Sequence, residues 1–198
     1  MRLPTLLVGA AALLFLVGNP VLAQRAAPDD VDMCANETGD AAIAACARGI
    51  SSGNLHDRDL AIEYYNRGIK YAARGDNDRA IADYTEAIRL DPKYAEAYGN
   101  RANAYRAKSD IDHALADYNE ALEIRPGAID YFNRGNTLFE IKVDYDRVIA
   151  DYTEAIQLDP TFAQAYYNRG IAKRAKGDSA GGIADIARAM QLNPKVGR

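Results

Sequence analysis

Two hydropathy patterns divide the chain. Residues Leu6 to Val17 form an apolar run broken only by the small residues Gly9, Ala10, Ala11 and Ala12. Beyond residue 60 the apolar positions recur three and four apart, the spacing of one helical face. In Leu60 to Arg74 these positions are Tyr64, Gly68 and Tyr71, and they predict a helix. Asp76-Asn77-Asp78 then supplies residues that break and recap a helix. Arg79 to Leu90 repeats the pattern with Ala80, Tyr84, Ala87 and Ile88. Asp91-Pro92 ends it, because the residue before a proline is driven out of the helical region.

This helical pair recurs. Pro92, Pro126, Pro160 and Pro194 stand 34 residues apart. Upstream of them one phrase returns as Tyr65-Asn66-Arg67-Gly68, Gly99-Asn100-Arg101-Ala102, Phe132-Asn133-Arg134-Gly135 and Tyr167-Asn168-Arg169-Gly170. A second returns as Ala82-Asp83-Tyr84, Ala116-Asp117-Tyr118, Ala150-Asp151-Tyr152 and Ala184-Asp185-Ile186. A fixed period with two helices per unit means stacked units that bury a continuous core.

The pattern resembles the tetratricopeptide repeat family. Tyr64, Gly68, Tyr71, Ala80, Tyr84, Ala87 and Pro92 carry the resemblance, and it returns at Tyr98, Ala102, Tyr105, Ala114, Tyr118, Ala121 and Pro126. The implied fold is all-α, a right-handed α-solenoid of about four full repeats with a degenerate one in front. Its boundaries are a signal peptide over residues 1–23, an N-terminal extension over 24–38 and a degenerate half-repeat over 39–60. Full repeats follow over 61–94, 95–127 and 128–161, and a fourth with a C-terminal cap over 162–198. In the half-repeat Ala41-Ala42-Ile43-Ala44 parallels Arg79-Ala80-Ile81-Ala82, which puts Cys46 in the place of Tyr84.

Two units depart from the pattern. In the third, the step from Pro126 to the phrase is one residue short and the turn at Ile141-Lys142-Val143 is one residue longer. Val148 stands where Ala80 and Ala114 are small, and a local change of superhelical angle is expected there. In the fourth, Lys173, Gly182 and Ile186 replace Tyr71, Ala80 and Tyr84. That reads as capping, since a terminal repeat needs a face that meets water, or as an end that docks on something else.

The apolar run at the start is 12 residues long, short of the roughly 20 that span a bilayer. With Arg2 before it and Val21-Leu22-Ala23 after it, it reads as a cleaved export signal, and the bacterial periplasm is the expected destination. Export makes a Cys34–Cys46 disulfide the expected state of the two cysteines, which would staple the open N-terminal end. The alternative is that Cys46 is a small buried residue on a helix.

Composition adds a few exclusions. A 48% hydrophobic content argues against a disordered chain. The formal charge of −4, or −5 once Arg2 leaves, supplies no global basic field for nucleic acid. The 13 tyrosines all lie between Tyr64 and Tyr167, where the repeats place them in the gaps between helices.

Catalytic chemistry finds no support in the motifs. The pairs Asp76/Asp78, Asp110/Asp112 and Asp144/Asp146 lack the glycine and closing glutamate of a calcium loop and read as helix caps. His56 and His113 fall in different units without a ligand constellation. With no Gly-rich phosphate loop or nucleophile elbow, neither cofactor nor metal is expected, and the chain reads as no enzyme.

Arg67, Arg101, Arg134 and Arg169 recur with Asp83, Asp117, Asp151 and Asp185, which predicts a ladder of ion pairs. The family resemblance implies a concave groove in which asparagines hold the main chain of a bound peptide. The candidates are Asn66, Asn100, Asn133 and Asn168, with Asn103 and Asn136 one turn further on and Tyr65, Phe132 and Tyr167 at the side. The asparagines could instead serve packing between repeats. Some family members clamp a C-terminal carboxylate with lysines. Here Tyr65, Gly99, Phe132 and Tyr167 occupy the nearby positions, and only Arg106 and Arg174 add charge, so the clamp does not carry over. The expected function is non-catalytic recognition of a protein or peptide, with self-assembly through the irregular end units as the alternative.

Overall fold

The computed structural model describes residues 28–141 and 144–197, so the predicted signal peptide lies outside the described residues. Among the described residues ten helices succeed one another: α1 (Pro28–Asn36), α2 (Gly39–Ser51), α3 (Asp57–Ala72), α4 (Asn77–Leu90), α5 (Ala95–Ala107), α6 (Ile111–Ile124), α7 (Ala128–Glu140), α8 (Tyr145–Leu158), α9 (Ala163–Lys176) and α10 (Ser179–Leu192). They pair as hairpins, and each hairpin packs on the next. The first helices of successive hairpins also meet one another, α3 with α5, α5 with α7 and α7 with α9. Second helices touch only their flanking first helices. The first helices therefore line the inner wall of an all-α solenoid.

Local chemistry sets the hairpins. Asp76, Asp110, Asp144 and Asp178 cap the second helices, each side chain accepting the backbone N–H three residues on. The turn before the cap needs a left-handed residue, supplied by Gly75 (φ +75°), Ser109 (φ +62°) and Gly177 (φ +104°). Tyr84, Tyr118 and Tyr152 are the largest fully buried side chains. Their rings lie so close to the first helix that a Cβ at Gly68 would stand 2.7 Å from Tyr84, and one at Gly135 2.9 Å from Tyr152.

The irregular units are compensated locally. In the third, Val148 shares its cluster with Leu138, which stands where Tyr71 and Tyr105 stand in earlier units. A larger residue on one helix is matched by a smaller one on the other, which conserves core volume. In the fourth, Gly170 and Gly182 bring two backbones together, and a Cβ on Gly170 would lie 2.8 Å from the Gly182 carbonyl oxygen. The helices there approach too closely for a tyrosine at Ile186.

The N-terminal end corrects one expectation. Residues 24–38, read as an extension before a half-repeat, contain α1, which packs on α2, so the leading unit is a hairpin of two helices. Its few apolar residues gave no helical period. Cys34 and Cys46 form a disulfide (Cα–Cα 4.7 Å) that ties the two helices, and both cysteines are fully buried.

Candidate protein-binding groove

Each full unit carries the same rung between its two helices. Arg67 donates to both carboxylate oxygens of Asp83 at 2.8 and 2.7 Å, and Arg101 does so to Asp117 at 2.7 and 2.8 Å. Arg134 with Asp151 and Arg169 with Asp185 repeat the bidentate geometry at 2.6 to 3.0 Å. The rungs span 16 residues except in the third unit, where the longer turn makes it 17 and the pair survives. Tyr64, Tyr98, Tyr131 and Tyr166 place their rings 5.5 to 5.6 Å from the guanidinium carbons. The hydrogen bonds it donates to Asp83 raise the Arg67 guanidinium above its ordinary value. At Asp185 burial pushes the carboxyl up, and the hydrogen bonds from Arg169 and Lys173 outweigh it and bring the group below its ordinary value. These partly buried, doubly bonded pairs are structural and fix the register of each hairpin.

Seven of the nine candidate groove residues fall on the inner wall in two hollows. The larger encloses about 450 Å³ between α7 and α9 and is lined by Phe132, Asn136, Phe139, Tyr167, Asn168 and Ile171, with Tyr152 also facing it. Arg106 and Glu140 stand at it as an ion pair at 2.6 Å, and Gln164 also lines it. The smaller, about 190 Å³, lies among α3, α5 and α7 and is lined by Tyr65, Asn100, Asn103, Ile129 and Asp130. Arg125 and Glu96 border it as an ion pair at 2.7 Å. Burial pushes the Asp130 carboxyl up, with Arg125 pulling it down and Glu96 adding to the rise.

Asn66 and Asn133 are half-buried on α3 and α7 and line neither hollow. Arg174 lines neither and lays its stem over Gly182 instead. Asn103 and Asn136 have packing roles, since their Oδ1 atoms accept the hydroxyls of buried Tyr118 and Tyr152 at 2.6 and 2.8 Å. Asn136 Oδ1 also accepts from Asn168 at 2.8 Å, and Asn100 donates to the Tyr65 hydroxyl at 2.9 Å. The amide oxygen of Asn136 is therefore fully used, leaving its N–H groups to serve a ligand. Glu140, Glu96 and Arg125 escaped the reading of the sequence, as did the pairing of Arg106. Arg106 and Glu140 stand 34 residues apart, one period, so a scan for complementary charges at that spacing finds them.

Two other clusters bring reactive groups together. His113 Nδ1 lies 2.8 Å from Asp110 Oδ2, a carboxylate partner that the sequence did not reveal, on an exposed turn. Cys34, Cys46 and Glu63 gather within 4.8 Å, but the two sulfurs are bonded to each other and offer no thiolate.

The fold and the groove define a protein-interaction solenoid. The family profile described as TPR repeat matches residues 68–109 and 144–177, and two described as tetratricopeptide repeat match 95–127 and 163–196. The chain belongs to the tetratricopeptide repeat family, whose members are non-catalytic protein-interaction modules. A comparison with curated protein sequences finds no match. Among solved structures, a crystal structure of MamA is similar at 23% identity and a TM-score of 0.71, over 79% of this chain and 89% of that one. The first TPR of Spaghetti (RPAP3), bound to an HSP90 peptide, is 26% identical with a TM-score of 0.59, over 63% and 99%. PilF of Pseudomonas aeruginosa is 26% identical with a TM-score of 0.64, over 69% and 63%.

Proposed function

We propose that this chain is exported to the bacterial periplasm and there holds an extended or helical protein segment along its inner wall. The larger hollow carries the reading, since Phe132, Phe139, Tyr167 and Ile171 surround space for one apolar side chain, with Asn136 and Asn168 beside it. Apolar walls with a few placed amides are the usual make-up of a recognition pocket. The partner's apolar anchor enters this hollow, and the Asn136 N–H groups donate to its main-chain carbonyl. The smaller hollow, with Glu96 and Asp130 against one arginine, favours a cationic residue further along the segment. The similar TPR structure bound to an HSP90 peptide supports a peptide as ligand class.

Capture of a partner from envelope extract tests the reading. Tyr167→Glu and Gln164→Lys place charge in the larger hollow and are expected to abolish capture while helicity stays unchanged. Equal capture by both variants and the parent would overturn groove binding. Mass analysis of the mature N-terminus tests export, with residue 24 as the expected first residue.

A further inference from the structure

The outer face of α10 repeats half of a pattern that the interior uses in full. On the second helix of each of the first three full repeats two apolar residues stand seven apart and are buried or half-buried. They are Ile81 and Ile88, Leu115 and Leu122, and Ile149 and Ile156. Ile81 packs in the cluster of Ala104, Ile88 with Ala97, Ile149 in the cluster of Ala172 and Ile156 with Ala165. One period further, Ile183 and Met190 keep this register, yet they are 63% and 51% exposed.

Two polar hooks accompany the apolar pair in the interior. One is an aspartate to which a basic residue of the next unit reaches back, as in Asp40 with Arg74, Asp78 with Lys108 and Asp146 with Lys176. The other is a Thr or Asn that accepts the next unit's rung arginine: Thr85 from Arg101 at 3.0 Å, Asn119 from Arg134 at 2.7 Å and Thr153 from Arg169 at 3.1 Å. On α10 both hooks are gone. Ala180 and Ala187 hold their positions, and Arg188 stands where Glu86, Glu120 and Glu154 stand. Capping would replace apolar residues by polar ones, and α10 does the reverse.

We infer that the α10 face is a two-fold interface with a second copy of this chain. The missing hooks make it a poor seat for another repeat of the same kind, since a rung arginine would find no acceptor at Ala187. The face continues the established seam between units, in register with it, and exposes no carboxylate, because Asp185 is buried in its rung. Ala180, Ala184 and Ala187 are small enough for close approach, and Arg188 lies at the rim. Two antiparallel copies of α10 place Ile183 of each against Met190 of the other around a dyad near Ala187. Such an interface closes on itself. It leaves both inner walls open, so it stands or falls apart from the groove.

Light scattering of the purified full chain across a wide concentration range tests this. Twice the monomer mass is expected at high concentration. The double substitution Ile183→Asp and Met190→Asp is expected to raise the dimer dissociation constant by about a hundredfold or more, with the circular dichroism unchanged. Ala187→Cys is expected to give a covalent dimer on mild oxidation. A parent chain that stays monomeric throughout, or a dimer that tolerates the double substitution, overturns the inference.

Discussion

At the N-terminal end, nine-residue α1 is tied to α2 by the Cys34–Cys46 bond and by Arg48, whose Nε donates to Asp30 at 3.0 Å. At the other end, fourteen-residue α10 needs no staple and leaves Ile183 and Met190 in water. The rung is reversed at the first end, with the acid on the first helix and the arginine on the second. The contrast shows what holds a hairpin in this stack. A helix as short as α1 is marginal alone and buries little apolar surface, so a covalent tie makes up the deficit. Helix α10 has Arg169 and Lys173 on Asp185 and two facing glycines, so its hairpin closes without help from a further unit.

Breaking the staple has the largest expected effect. Replacing both Cys34 and Cys46 by Ser costs about 3 kcal/mol in the chain-entropy account of so short a loop. Because each unit contacts only its neighbours in the stack, the loss stays near that end. Hydrogen exchange is expected to speed up in α1 and α2 and to stay unchanged in α9 and α10. Equal loss of protection at both ends would show that the stack unfolds as one unit and would undo the contrast.

A smaller effect at the same end comes from Glu63. Its side chain is 1% exposed beside the disulfide, and its Oε2 has no hydrogen-bond partner among the described residues. Burial, with the Asp30 charge adding to it, raises the carboxyl to about 7 from 4.5. The folded chain therefore holds a proton that the unfolded chain has released. This contribution is fully present below pH 4.5 and is lost as pH rises through about 7. Glu63→Gln keeps the neutral form and is expected to be about 2 kcal/mol more stable than the parent at pH 8, with no advantage at pH 4. Urea unfolding at the two values decides it, and identical pH profiles would remove Glu63 as the cause.

Legibility in the sequence divides along the same line. The period of 34 and the capping aspartates repeat at a constant offset, and the four Arg–Asp rungs keep it to within one residue, so one sequence displays them. The hydroxyl bonds of Tyr118 and Tyr152 to Asn103 and Asn136 were not legible, because both residues had a ready explanation of their own, one as core and one as groove. The reversed Asp30–Arg48 rung starts on α1, a helix too poor in apolar residues to show a period. Ile183 and Met190 are the opposite case. They continue the interior pattern, and only the absence of a packed neighbour among the described residues turns them outward.

The smallest expected change sharpens that last point. At the interior position, Ile156→Ala removes a buried side chain next to Ala165 and is expected to cost about 2 kcal/mol. One period on, Met190→Ala removes surface that water already covers and is expected to change the stability of the monomer by less than about 0.5 kcal/mol. The two positions differ chiefly in whether a further helix packs against them, so denaturant midpoints at low protein concentration isolate that neighbour's contribution. Raising the concentration adds the second copy. Ile156→Ala then keeps its deficit, whereas Met190→Ala falls behind the parent, because mass action stabilises only the chain that can associate. A Met190→Ala deficit already present at low concentration would mean that α10 is covered within its own chain, and the open end would cease to be open.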